Sequence, residues 1–153
     1  MTKRMLFAGL AILTLSAACL AADITAGTWK LNAAKSKPAP GGAKYDTVTV
    51  TSEGANMKVT LDGTDSAGKP VHSEWVGKYD GKQYPVKGNP DMESGAYKKI
   101  DDHTFQYSAM KGGKPSTSAK ISYSADGKTR TVNSSVPDAK GKRVSGMSVY
   151  EKQ

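Results

Sequence analysis

The side chains that could carry chemistry are few and widely spaced. His72 and His103 are the only imidazoles available to activate a serine, threonine or cysteine nucleophile. Neither stands in a Gly-x-Ser-x-Gly elbow or a His-Glu-x-x-His segment, whose fixed spacing brings nucleophile, base or metal together. Asp101-Asp102-His103 has the composition of a metal clip. Adjacent carboxylates beside one imidazole at a turn are nevertheless too sparse a ligand set. Gly112 to Ser118, read as GGKPSTS, has the residue types of a phosphate loop but neither its spacing nor a following helix. His72 alternates with Glu74 as an exposed polar pair on a strand. The expectation is therefore no catalytic residue, no metal, no cofactor and no enzyme activity.

The aromatic side chains form a second pattern. Trp75 and Tyr79 share one strand face, Phe105 and Tyr107 share another, and Tyr97, Tyr123 and Tyr150 lie on strands between or after them. Rings at such positions fill a core, and beside inward Thr and Ser groups they can also line a pocket for an amphiphile or aromatic metabolite. The residues expected to touch a ligand are Trp75, Tyr79, Phe105, Tyr107 and Tyr123.

The elements that must position these rings are strands. YDTVTVTS at Tyr45 to Ser52 sets Val48 and Val50 against Thr47, Thr49 and Thr51, and NMKVTLD sets Met57, Val59 and Leu61 against Lys58 and Thr60. That period of two gives each run one buried face and one wet face. Similar runs are read at Gly27 to Asn32, Val71 to Tyr79, Gln83 to Val86, Gly95 to Ile100, Thr104 to Lys111, Ser116 to Ser124, Thr129 to Val136 and Arg143 to Glu151. Asp62-Gly63, Asp80-Gly81, Gly112-Gly113 and Asp126-Gly127 separate them with residues suited to tight reversals. No stretch holds a helical period for 10 to 12 residues, and one turn near Ala33 to Lys37 is the most helix expected.

Ten strands with short links form an antiparallel meander. Closure into an eight- to ten-stranded up-and-down barrel removes exposed edges, while an open sandwich of two sheets fits the same pattern. Many inward positions are Thr, Ser, Gly or Ala, which favours a cavity over a fully packed interior.

The chain has 153 residues and a net charge of +8. Met1-Thr2-Lys3-Arg4 precedes an uncharged run from Met5 to Leu20, the layout of a bacterial export signal, with cleavage expected after Ala21 or Ala22. Residues 1–22 are thus read as a signal peptide and 23–153 as a single domain, periplasmic or secreted. Cys19, the sole cysteine, stands in SAAC, which is similar to a lipoprotein box, so membrane anchoring is expected only if Cys19 is lipidated. Loss of the leader removes the thiol, and stability must come from core and sheet. The lysines are scattered rather than clustered, which argues for a solvated exterior and against nucleic acid.

Gly27-Thr28-Trp29 at the first strand of such a meander resembles the lipocalin signature. GTWKL at the opening and VYEK at Val149 to Lys152 are similar to the fatty-acid-binding branch of the same calycin superfamily, and the whole of 23–153 looks like small exported bacterial proteins of lipocalin-like type. The resemblance implies that Gly27 and Trp29 form a structural motif, with Trp29 plugging the closed end beneath a basic side chain, for which Arg130 and Arg143 are the candidates. It also implies a carboxylate-capturing Arg two residues before a Tyr on the last strand. Here those positions are Ser148 and Tyr150, so the cation is missing and fatty-acid anions are not expected to be preferred over neutral apolar compounds. The Pro- and Gly-rich link from Ala33 to Lys44 leaves no room for the helices that cover such barrels.

The expected function is non-covalent binding of a small apolar or amphipathic molecule by a monomeric, lipocalin-like exported protein. The alternative is a structural or interaction module of the cell envelope with a filled barrel and no ligand. A cavity of roughly 300 Å³ or more separates the two.

Overall fold

The computed structural model describes residues 23–153, and the expected leader with Cys19 lies outside the described residues. Ten strands follow one another: β1 (Gly27–Leu31), β2 (Lys44–Glu53), β3 (Asn56–Thr64), β4 (Pro70–Gly77), β5 (Tyr84–Lys87), β6 (Ser94–Asp101), β7 (Thr104–Lys111), β8 (Lys114–Tyr123), β9 (Thr129–Pro137) and β10 (Arg143–Lys152). A single 3-10 turn, Ala33–Lys35, follows β1. Every strand pairs antiparallel with its sequence neighbours, and β1 pairs with β10 through Trp29 opposite Lys152 and Leu31 opposite Tyr150. The sheet is a closed ten-stranded meander, and the open sandwich is excluded.

The pattern of two drives this outcome. On β2, Val48 and Val50 are buried while the intervening Thr49 is only half-buried, and on β7 Phe105, Tyr107 and Ala109 are buried around exposed Gln106. Turn chemistry sets the register. At Asp65 to Lys69 the carboxylate Oδ1 accepts from the backbone N–H groups of Ala67 and Lys69, and Gly68 takes a φ of 77° that β-carbon-bearing residues rarely adopt. The link from Asp138 to Lys142 repeats the device, with Oδ1 accepting from Lys140 and Lys142.

One end of the barrel is sealed. Trp29 is 0% exposed, donates its indole N–H to the Thr25 carbonyl at 3.0 Å, and lies 5.3 Å from the Tyr123 ring. Thr25 Oγ1 donates to Asp23 Oδ1 at 2.8 Å and therefore accepts from Tyr79 Oη at 3.0 Å, pinning the segment before β1 across the opening. The base over the Trp29 ring is Lys152, with Nζ 5.2 Å from the centroid. Neither Arg130 nor Arg143 occupies that place. Lys152 is the cross-strand neighbour of Trp29, whereas Arg130 lies inside the barrel and Arg143 is exposed against Ser118 and Ser135. Gly27 completes the arrangement, because its φ is 131° and a Cβ there would stand 2.7 Å from Lys152 Cε.

Candidate ligand cavity

The aromatic residues expected to hold a ligand mostly hold one another. Trp75 meets Tyr97 edge-on at 4.6 Å and donates its indole N–H to the Gly95 carbonyl at 2.8 Å. Tyr79 meets Phe105 at 5.1 Å, and Phe105 meets Tyr123 at 5.8 Å. Offset and edge-on pairs at these separations are favourable beyond the area they bury. They leave only a void of about 10 Å³ beside Thr25, Tyr79, Phe105 and Tyr123. Two glycines make this packing possible: a Cβ on Gly77 would stand 2.6 Å from the Tyr84 ring and 2.7 Å from Trp75, and one on Gly95 would stand 2.6 Å from Tyr107 Oη.

Beyond this plug the barrel is hollow. A cavity of about 320 Å³ extends toward the loops before β2, between β3 and β4, and between β7 and β8. Its walls are Val48 and Leu61 on one side, Met92, Tyr97 and Tyr107 on another, and Ala119, Ile121, Val132 and Val136 on a third. Gly41, Gly42, Ser66, Asp91 and Lys111 ring the mouth. Of the five expected contacts, Tyr107 faces this space, while Trp75, Tyr79, Phe105 and Tyr123 belong to the plug.

Tyr45, Tyr97, Tyr150 and Arg130 also border the cavity, and none of them is among the contacts expected from sequence. Arg130 borders both the cavity and the small void behind it, so it stands at the inner end. It is 5% exposed. In the sheet it lies opposite Tyr123 on one side and Tyr150 on the other. Its Nε donates to Tyr123 Oη at 3.3 Å, and its Cζ lies 5.2 Å from the Tyr150 ring centroid. Among the described residues it forms no ion pair. The signal is present in TRTVNSSV, where Arg130 shares the inward parity of Val132, Ser134 and Val136. A charge at an apolar parity position is informative because it has to be accommodated inside.

Arg130 is thus buried inside the barrel on β9, the strand next to Ser148, where it stands opposite Tyr150. The candidacy of Arg130 as the base over Trp29 is corrected, since it lies inside the barrel, while Arg143 is exposed.

The tyrosines around the cavity stay neutral. Burial raises the Tyr97, Tyr107 and Tyr150 hydroxyls above the ordinary phenol value and pushes Tyr45 up to about 12, although the hydrogen bond from Asn89 partly opposes the shift at Tyr45. Tyr150 donates to the Tyr45 carbonyl at 3.0 Å, and Tyr107 donates to the Met92 sulfur at 3.2 Å. At the mouth, Asp91 is engaged by the Ser66 backbone N–H and hydroxyl at 2.8 and 2.6 Å, and Lys111 donates to the Pro90 carbonyl. Asp101, Asp102 and His103 are exposed at a turn, and among the described residues no group of His, Cys, Asp and Glu is arranged to hold a metal. A broader depression of about 820 Å³ on the outer surface, near Ile100 and Met147, is open and bordered by Gln106, Lys120, Asn133 and serines.

No protein-family model matches the chain, and no curated protein does. Among solved structures it is similar to a redesigned β-barrel, mFAP1, bound to DFHBI, at 15% identity over 84% of this chain and 95% of that one, with a TM-score of 0.46. It is also similar to the redesigned barrel b11L5F_LGL, at 12% identity over 90% and 99% with a TM-score of 0.47. A third is a fluorescence-activating β-barrel of de novo design, at 13% identity over 86% and 98% with a TM-score of 0.44. Likeness at this level is one of barrel outline and says nothing of a ligand.

Proposed function

We propose that this chain is an exported barrel, related to the lipocalin-like proteins, that holds one small apolar or amphipathic molecule without covalent chemistry. The cavity of about 320 Å³ above the aromatic plug carries the reading. It reaches the lower end of the volumes typical of small-molecule sites, roughly 300 to 1,000 Å³, and its walls are apolar with a few convergent hydroxyls. Export rests on the basic start and apolar run of residues 1–20, and the Gly27-x-Trp29 closure supports the lipocalin-like kinship.

Native mass spectrometry of the protein isolated from its own host tests the proposal. The expected result is a mass excess that organic extraction removes and that is missing from Val132→Trp, in which an indole occupies the cavity. A folded wild-type protein that carries no adduct and takes up no apolar probe would instead support the structural module.

A further inference from the structure

Independently of the cavity, we propose that the outer wall formed by β8, β9 and β10 binds an acidic polysaccharide, a chain of carboxylate-bearing sugars, in the depression beside Met147. Folding gathers a charge that the chain spreads. Residues 23–113 carry twelve lysines against eleven Asp and Glu, whereas residues 114–153 carry eight Lys and Arg against three. In a closed meander that last stretch is three neighbouring strands, so nearly all of the domain's net charge falls on one side of the barrel. Lys114, Lys120, Lys140, Lys142 and Arg143 are exposed there, and none of them forms an ion pair among the described residues.

Register lays out the floor of the site. Lys120 stands opposite Asn133, Asn133 opposite Met147, and Met147 opposite Lys37 in the link after β1, so one row of side chains crosses the outside of the wall. Three inter-strand steps hold the Lys120 and Lys37 backbones about 14 Å apart. Ser118, Ser135 and Ser145 make a second row, two residues along each strand and therefore about 7 Å from the first. These short side chains beside longer ones leave the open depression of about 820 Å³. Arg143 lies across the serine row, its Nε donating to Ser135 Oγ at 3.1 Å and its Nη2 to Ser118 Oγ at 2.9 Å. Both hydroxyl oxygens act as acceptors toward Arg143, which leaves their protons to donate to an incoming anion.

Cations around a floor of hydroxyls and amides match a polymer that carries both carboxylates and hydroxyls. Nucleic acid fits less well, because every ring on β7 to β10 is buried, in Phe105, Tyr107, Tyr123 and Tyr150, and none is left for a base to stack on. A bilayer is a plane that cannot enter the depression, and Ile100 is the one large apolar side chain exposed among the described residues.

Calorimetric titration at physiological salt with a galacturonate oligomer, a maltose oligomer of equal length and a DNA duplex of equal charge tests the assignment. The galacturonate oligomer is expected to bind at least tenfold more tightly than either, and its affinity should fall as salt rises. Lys120→Gln combined with Arg143→Gln should weaken it at least fivefold. Lys78→Gln combined with Lys82→Gln, the same loss of charge on the β4–β5 link, should leave it within about twofold. One readout needs no variant: the oligomer is expected to shift the amide resonances of Ser118, Lys120, Asn133 and Ser145 and to leave Gly42 and Ser66 at the cavity mouth in place. Equal loss in the two double variants, or shifts confined to the mouth, would overturn the site. Equal binding of the maltose oligomer would overturn the need for charge, and tighter binding of DNA would replace the class with nucleic acid. No binding of the galacturonate oligomer would overturn the inference and leave the cavity's function untouched.

Discussion

Trp29 shows how one side chain closes a barrel. Its indole N–H is satisfied by Thr25, one ring edge meets Tyr123, and Lys152 covers a face that would otherwise contact water. Trp29→Ala empties this site and is expected to lower unfolding free energy by about 3 to 5 kcal/mol, as measured by urea denaturation. His72 is a second residue with a definite expectation. Its Nδ1 lies 2.6 Å from Asp62 Oδ1 and its Nε2 lies 3.6 Å from Glu74 Oε1, and the hydrogen bond to Asp62 is the main cause that raises its pKa above the ordinary value. Because the folded-state pKa is the higher one, the pair supports the fold fully below the unfolded pKa, and this support is lost as pH rises through the folded value. Imidazole resonances followed against pH should show His72 titrating above the usual 6.5 or so, and Asp62→Asn should bring it back. The pair is solvent-exposed, and it belongs to the outer face of the sheet rather than to any reactive site.

Between residue and barrel stands the strap that follows β1. It runs from the 3-10 turn to Gly42, crosses β10 through reciprocal backbone bonds between Lys37 and Met147 at 2.7 Å, and delivers Gly41 and Gly42 to the cavity mouth. It can lie this close only because residue 146 is glycine: a Cβ there would overlap the backbone of Pro38 and Ala39. Gly146→Val should therefore lift the strap. Hydrogen exchange at the Lys37 and Met147 amides is expected to accelerate by at least tenfold, with Val59 in the centre of β3 unchanged. The short β5 is the other element with thin support, joined by two registered pairs to β4 and two to β6.

The molecule as a whole combines a packed half with a hollow half. Tyrosines in both halves, Tyr45, Tyr79, Tyr97, Tyr107 and Tyr150, have hydroxyl pKa values raised chiefly by burial. Their folded-state values exceed the unfolded value of about 10, so the neutral hydroxyls support folding fully below that pH, and the support is lost as pH rises toward the folded values. Beyond the loss that the His72–Asp62 pair brings as pH rises through the folded pKa of His72, the unfolding free energy from urea denaturation should fall above about pH 10, at up to about 1.4 kcal/mol per pH unit for each coupled group. A midpoint insensitive to pH between 9 and 11 would contradict the burial of these rings. No cysteine lies among the described residues, so reducing agents should leave the curve in place.

The strands were legible in the sequence because their signals are local. Alternation of apolar and hydroxyl side chains defines a face over six or eight residues, and Gly112-Gly113 and Asp126-Gly127 mark reversals, whereas Asp62-Gly63, expected to separate two strands, lies inside β3 and the chain turns at Asp65 to Lys69 instead. Even the inward direction of Arg130 can be read from its parity with Val132. Which half of the barrel is solid was decided by tertiary structure alone. Phe105 and Tyr123 are far in the chain from Trp75 and Tyr79, and the rings meet because closure of β1 against β10 sets their heights and because Gly77 and Gly95 leave room for them. Parity places a side chain inside, but only the register of all ten strands fixes its height along the barrel, and that height separates the rings of the plug from the guanidinium at the end of the cavity.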